Sequence, residues 1–268
     1  MPRSQPTTAP LEESDLFHRW FEALEGRHLA NLRVQEVTRA LRALSSVYVQ
    51  RRGHTVGRAL DSAGKRAAFA LFYAPLHLLT THHLIRALGD DAAPPRSILD
   101  VGCGTGVAGA AWALAAGGAP RVTGIDRHPW ARAEARWTYR QLRIEGETRA
   151  GDLLTLPPIA PGASLVAAYV LNELPTATRE RLESRLLDVA TRGTSILIIE
   201  PIARSVAPWW DRTASRFAAV GGRADEWRFP VELPAPLLLL DKAAGLDHRQ
   251  LTARSLFCRG SGRSREVE

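Results

Sequence analysis

Apolar residues recur every three or four positions through Leu16, Trp20, Phe21 and Leu24, and again through Leu29, Leu32, Val37, Leu41 and Leu44. That spacing puts one face of a helix against a core. The chain therefore opens, over residues 11–48, with two amphipathic helices punctuated by Gly26 and Ser45-Ser46. Residues 65–88 are the most apolar long stretch of the first half and predict a further helix, which Pro75 should kink or split. A segment so apolar must bury itself, and the sheet that follows is the available surface. From Ser97 the period changes. Ser97–Val101, Val122–Asp126, Ser164–Leu171 and Ser195–Glu200 are short strand-like runs, separated by helical stretches at Val107–Ala116, Arg132–Arg143 and Thr176–Thr191. A near-continuous apolar run such as Ser164–Leu171 reads as a strand of a parallel sheet covered on both faces. After Glu200 the alternation breaks down. Trp209-Trp210, Trp227–Pro230 and Leu237–Leu240 sit in a Pro-rich setting before Leu251, Ala253, Ser255 and Phe257, whose period of two predicts a last strand.

The chemistry concentrates where the first of these strands meets its helix. In Ser97-Ile-Leu-Asp-Val-Gly-Cys-Gly-Thr-Gly106, Gly102, Gly104 and Gly106 let the backbone turn sharply and come close to a ligand. The free N–H groups of the following helix start then face that ligand. Asp126 ends the next strand about 20 residues on, the distance at which a βαβ unit presents an acid to a ribose hydroxyl pair. Gly104, Gly106 and Gly109 also satisfy a dinucleotide fingerprint, so these residues alone leave a nicotinamide cofactor open. Further along, Gly151-Asp152-Leu153 sits where a third strand ends, and Asn172-Glu-Leu-Pro175 and Glu200-Pro201 follow the fourth and fifth. Four strand ends thus offer acids or amides at one rim, where open α/β sheets hold ligands.

The ordered set Asp100–Gly106, Gly124-Ile-Asp126, Gly151-Asp-Leu153 and Leu171-Asn-Glu-Leu174 resembles class I S-adenosylmethionine-dependent methyltransferases over residues 97–258. The resemblance implies an α/β fold, a doubly wound and mostly parallel sheet with an antiparallel closing strand, preceded here by a helical N-terminal domain. It implies S-adenosylmethionine as cofactor, held by Asp100, Gly102, Cys103, Gly104, Gly106, Asp126, Arg127, Asp152, Leu153 and Leu171. Within that set Asp152 would accept from the adenine amino group, whereas read alone it is a turn aspartate. Asn172 and Glu173 are the candidate catalytic residues, Glu173 as base or cofactor support. The segments Leu44–Tyr48, Phe72–Pro75, Tyr169–Pro175 and Ile199–Pro201 are similar to the small-ribosomal-subunit methyltransferase-like family, whose members act in ribosome assembly. That likeness implies ribosomal RNA or the small subunit as partner. The iron–sulfur cysteines common in that family are lacking.

Composition narrows these readings. A chain of 268 residues with 45% hydrophobic content holds a sizeable core without staples. Two cysteines far apart, Cys103 and Cys258, signal neither a disulfide framework nor a metal site, and His77, His82 and His83 lack a regular acid partner and read as packing or helix-surface histidines. The net charge of +7 rests on arginine, since Lys65 and Lys242 are the only lysines. Such charge suits nucleic acid, or reflects a coding bias, and speaks of partners and not of fold. Arg51-Arg52 and the Arg132–Arg143 helix are the basic surfaces to consider. No apolar run approaches the roughly 20 residues that span a bilayer, and the start lacks a signal-like apolar segment, so the expectation is a cytoplasmic protein. Residues 1–10 and 260–268 are polar tails expected to be disordered, residues 11–95 a helical domain, and residues 96–259 the cofactor-binding domain. Three functions stay open: a methyltransferase acting on ribosomal RNA or a ribonucleoprotein, a small-molecule methyltransferase whose N-terminal helices form a lid, and an assembly factor that keeps the fold without turnover. Missing aromatic and cysteine residues beside Asn172 argue against adenine amino-group and cytosine C5 methylation.

Overall fold

A computed structural model describes residues 10–50, 60–92, 94–160 and 162–260. The Arg51-Arg52 cluster and the two expected tails, but for Pro10 and Gly260, lie outside the described residues. Helices α1 (Asp15–His28) and α2 (Val34–Gln50) bear out the opening periodicity. Ser14 caps α1 by accepting from the Phe17 N–H, and Phe17, Trp20, Phe21 and Leu24 form its buried stripe. The apolar stretch before the sheet stays helical throughout, and in place of a sharp break at Pro75 its helix widens just ahead of the proline. Helix α3 (Ala63–Ala68) passes through a π turn at Phe69–Tyr73 into α4 (Ala74–Leu88), with Pro75 in the first turn of the second helix. The Ala74 N–H donates to the Phe69 carbonyl five residues back, and Pro75 adds no N–H to this widened turn.

The sheet has seven strands in the order β3-β2-β1-β4-β5-β7-β6. They are β1 (Ser97–Val101), β2 (Arg121–Asp126), β3 (Gly146–Ala150), β4 (Ala163–Ala168), β5 (Ser195–Glu200), β6 (Arg223–Pro230) and β7 (Gln250–Cys258). The first five run parallel, and β7 is antiparallel to both β5 and β6. The crossover helices are α5 (Val107–Ala115), α6 (Pro129–Gln141) and α7 (Thr176–Thr191), followed by α8 (Trp210–Ala218) and α9 (Ala235–Ala243). The antiparallel closing strand is as expected from the alternation at Leu251–Phe257. Unexpected were β6, which carries Trp227 and Phe229 and lies at the sheet edge, and the Leu237–Leu240 run, which is helical.

Two apolar layers sandwich the sheet. One contains buried residues of α1, α2, α3, α4, α5, α6 and α9 together with Val122, Val166, Leu197 and Phe257. The other holds Leu182 and Leu186 of α7 and Trp210 and Phe217 of α8 against Val101, Leu165, Ile196 and Ile198. The N-terminal helices therefore share their core with the sheet, and α4 packs along α5, the helix that leaves the glycine turn. Burying one such side chain contributes about 1.5–3 kcal/mol.

At the turn itself, Gly106 is left-handed (φ +80°), and a Cβ there would meet Tyr139 Cε1 at 2.7 Å and Ala135 Cβ at 2.9 Å. Backbone strain and overpacking then act together. Gly106→Ala should lower the unfolding free energy by roughly 2 kcal/mol or more, measured by urea denaturation.

Candidate functional site

The loop after β1 is stitched to the end of β2. Backbone N–H groups of Gly102 and Cys103 both donate to the Ile125 carbonyl, at 2.9 and 3.0 Å. One residue on, Asp126 Oδ2 accepts from the Gly104 N–H at 3.0 Å and Oδ1 from the His128 N–H at 2.7 Å. Each carboxylate oxygen keeps a further lone pair for a ligand hydroxyl. Arg132 donates to the carbonyls of Asp126 and Arg127, both at 2.8 Å, which holds this corner in place. The Arg127 side chain is exposed beside it.

Under the loop lies Asp100, 1% exposed, its Oδ2 accepting from the Gly109 N–H at 2.9 Å. Burial pushes its carboxyl up to about 7; the Gly109 N–H works against that shift and the Asp126 carboxylate adds to it. Cys103 points inward as well, since a Cβ on Gly124 would sit 2.8 Å from its sulfur. Burial raises its thiol well above the ordinary range, so Cys103 serves the loop through its backbone. Above Gly104 the space is open among the described residues: of these, a Cβ there would meet only Phe69 Cε1, at 4.0 Å. The first ring of the π turn thus borders the loop.

The ends of β4 and β5 form the other half of the rim. Leu171–Glu173 is one 3-10 turn, and Glu200 Oε1 accepts from the N–H groups of Leu171 (2.8 Å) and Asn172 (3.3 Å). Glu200 Oε2 and Asn172 Oδ1 are buried with no hydrogen-bond partner among the described residues. Burial drives the Glu200 carboxyl up to about 8, against the two N–H groups and Arg254, and with the help of the Glu173 carboxylate. Just before the turn, Tyr169 holds φ at +60° and stacks on His77 of α4 at 3.8 Å between ring centroids. A bulky residue in the left-handed region is strained, and such strain gathers at functional positions. Burial lowers the His77 imidazole to about 3, so it stays neutral. Phe69 and Tyr73 are 5.9 Å apart and Tyr73 and His77 6.1 Å, continuing an aromatic wall along the helix.

Residues 98–193 match a family described as a methyltransferase domain. The chain carries a class I methyltransferase domain. Its cofactor is S-adenosylmethionine. No curated protein matches the sequence. The same architecture occurs in the solved structure of mitomycin 7-O-methyltransferase, 17% identical, with 93% of this chain and 74% of that one covered and a TM-score of 0.51. An O-methyltransferase family protein from Burkholderia thailandensis is 14% identical, with coverages of 90% and 71% and a TM-score of 0.52. At these identities the likeness is one of fold.

The donor set suits such a cofactor, with open space over Gly104 and an acid at the adjoining strand end. Of the residues expected to hold it, Asp100, Gly102, Cys103, Gly104, Gly106, Asp126 and Arg127 gather at the methyltransferase loop. Asp152 is exposed, with Oδ1 accepting from the Leu154 N–H at 2.7 Å, and Leu153 packs against the second apolar layer. Leu171, Asn172 and Glu173 come together on the β4 side. Sequence reasoning missed Phe69, Tyr169 and His77 as neighbours of the rim. His77 was read there as a packing residue, and only its stack on a residue 92 positions away reveals more.

The unfolded chain ionises Glu200 in the usual carboxylate range, whereas the folded chain keeps the proton up to about 8. Between those limits the native state binds more protons, so stability falls as pH rises through them. Glu200→Gln keeps an oxygen for the Leu171 and Asn172 N–H groups without ionising. Its thermal midpoint should gain on wild type as pH is raised from 5 to 8 in parallel scanning calorimetry; a difference independent of pH would count against a protonated Glu200.

Proposed function

We propose that this methyltransferase acts on a small-molecule acceptor held between the N-terminal helices and the ends of β4 and β5. The observation that carries this reading is the aromatic wall of Phe69, Tyr73, His77 and Tyr169, which starts beside Gly104 and ends beside the Leu171–Glu173 turn. Rings on a pocket wall suit a compact, partly apolar ligand. The names of the two structural neighbours place them among O-methyltransferases, and a hydroxyl-bearing small molecule is the acceptor class that suits this reading.

In this reading the loop from Gly102 to Gly106 cradles the cofactor's amino-acid end, Asp126 holds the ribose and Asp152-Leu153 meet the adenine. S-adenosylmethionine supplies a methyl group activated by a positively charged sulfur. The protein's own contribution is to fix the acceptor in line and exclude water, which orientation alone rewards strongly. Asn172, with its buried and unpartnered Oδ1, lines the acceptor side, and Glu173 stands beside it.

A ribosomal acceptor rests on net charge and on the Leu171–Pro175 run. Two arginines of the helix proposed as its surface are engaged within the protein: Arg132 with the Asp126 and Arg127 carbonyls, and Arg136 with Thr148 at 2.7 Å. Among the described residues no helix is long and apolar enough to cross a membrane.

Titration calorimetry with S-adenosylmethionine, followed by label transfer to small-molecule pools and to ribosomal subunits, separates the readings. Binding and transfer to small molecules are expected, and Asp126→Ala should weaken binding by about 1–3 kcal/mol. Transfer to ribosomal RNA alone would overturn the small-molecule reading, and tight NADH binding without S-adenosylmethionine affinity would overturn both.

A further inference from the structure

Asp241, at the C-terminal end of α9, is fully buried, and both its carboxylate oxygens serve one residue. Oδ2 accepts from the His248 backbone N–H at 2.8 Å, and Oδ1 lies 2.5 Å from His248 Nδ1. A carboxylate against Nδ1 places the ring proton there and leaves the Nε2 lone pair available. Nε2 has no hydrogen-bond partner among the described residues, and the side chain is 37% exposed. A histidine oriented by a buried acid, with its other nitrogen presented outward, has the form of a general base.

Its position matches that role. Arg254 of β7 pairs with Glu200 at the end of β5, while β7 runs on to Gln250 opposite Pro230. His248 therefore stands beyond the carboxyl end of β5, on the rim that carries the glycine loop and the Leu171–Glu173 turn. Its ring meets Phe72 at 6.0 Å, in the same π turn that sets Phe69 beside Gly104. Arg42 of α2 donates to the Ala243 carbonyl and ties down the end of α9. Asp241 is the charged group in contact with the imidazole, and the flanking Asp247 and Arg249 pair with each other at 3.0 Å. The π turn brings no charge.

We propose that His248, positioned by Asp241, is the general base for methyl transfer to a hydroxyl carried on a planar ring, an inference that rests on the methyltransferase reading above. A phenolic hydroxyl ionises near pH 10 and attacks poorly until its proton is taken, a task suited to a neutral imidazole. An aromatic wall favours a planar acceptor through stacked or edge-on contacts. In the step, the hydroxyl oxygen bonds to the methyl carbon and the carbon–sulfur bond breaks, its electron pair remaining on sulfur. The hydroxyl proton passes to His248 Nε2, and the resulting imidazolium rests against the Asp241 carboxylate. The base role that the sequence suggested for Glu173 moves to His248.

The test uses tritiated-methyl S-adenosylmethionine with catechol, caffeic acid and a hydroxynaphthoquinone as probes, on wild type, His248→Ala and Asp241→Asn. Calorimetry of S-adenosylmethionine binding on each variant reports whether the cofactor site is intact, and His248→Ala, being half-exposed, carries the conclusion if the buried Asp241→Asn fails to fold. Expected are transfer to at least one probe, a fall in kcat of about 10²-fold or more for His248→Ala with KM little changed, partial rescue by free imidazole, and unaltered cofactor affinity. A His248→Ala variant within about twofold of wild type, or a fall that imidazole does not rescue, overturns the base. Cofactor binding without transfer to any of the hydroxyl probes overturns this inference and leaves the methyltransferase assignment standing. Failure of wild type to bind S-adenosylmethionine removes the reading on which it rests.

Discussion

The Ile125 carbonyl accepts from two successive N–H groups, those of Gly102 and Cys103, and the shape of the loop after β1 depends on that shared bond. It pulls the chain leaving β1 towards the end of β2, so that Gly104 is presented to the Asp126 carboxylate one residue later. Positive φ at Gly102, Gly104 and Gly106 is what permits so tight a path. The residues beneath leave room for it: Gly109 approaches Val122, and Gly124 approaches Cys103 and Tyr139, each closer than a Cβ would allow. Loop, acid and first crossover helix are thus one packed unit, in which the backbone supplies most of the polar contacts.

Two buried carboxyls support the rim from below, Asp100 under the glycine loop and Glu200 under the β4 turn. Each accepts backbone N–H groups of the segment above it, Gly109 for Asp100 and Leu171 with Asn172 for Glu200. Desolvation outweighs those bonds, which is why both ionise near or above neutrality. A neutral acid can satisfy the turn without placing an unpaired charge beneath it. The side proposed to hold the acceptor is built differently, from rings contributed by the π turn, α4 and the strained Tyr169, with α2 and α9 clamped to each other by Arg42.

Much of this was legible in the sequence because its causes are local. Thr176–Thr191 and Ser195–Glu200 are elements over the very residues the pattern marked, since a parallel strand buried on both faces must be apolar throughout. The glycine turn, Asp126 and the antiparallel last strand were equally visible. What escaped was set by distant contacts. Strand β6 alternates exposed and half-buried positions at the sheet edge, a weak signal that the prolines around it obscured. His77 reads as a packing residue until Tyr169 is found against it, and Asp241 and His248 lie seven positions apart with nothing to mark them as partners before the end of α9 turns one onto the other. Where the chain's own periodicity decides, sequence suffices; where two elements converge on a rim, the sheet order decides.

The central claim is that the β1 loop and Asp126 form the S-adenosylmethionine site. A crystal structure with S-adenosylhomocysteine bound tests it most directly. The account predicts ribose hydroxyls on the Asp126 carboxylate and the amino-acid end of the ligand over Gly104. A ligand bound away from this loop, with Asp126 contacting only Gly104 and His128, would contradict it.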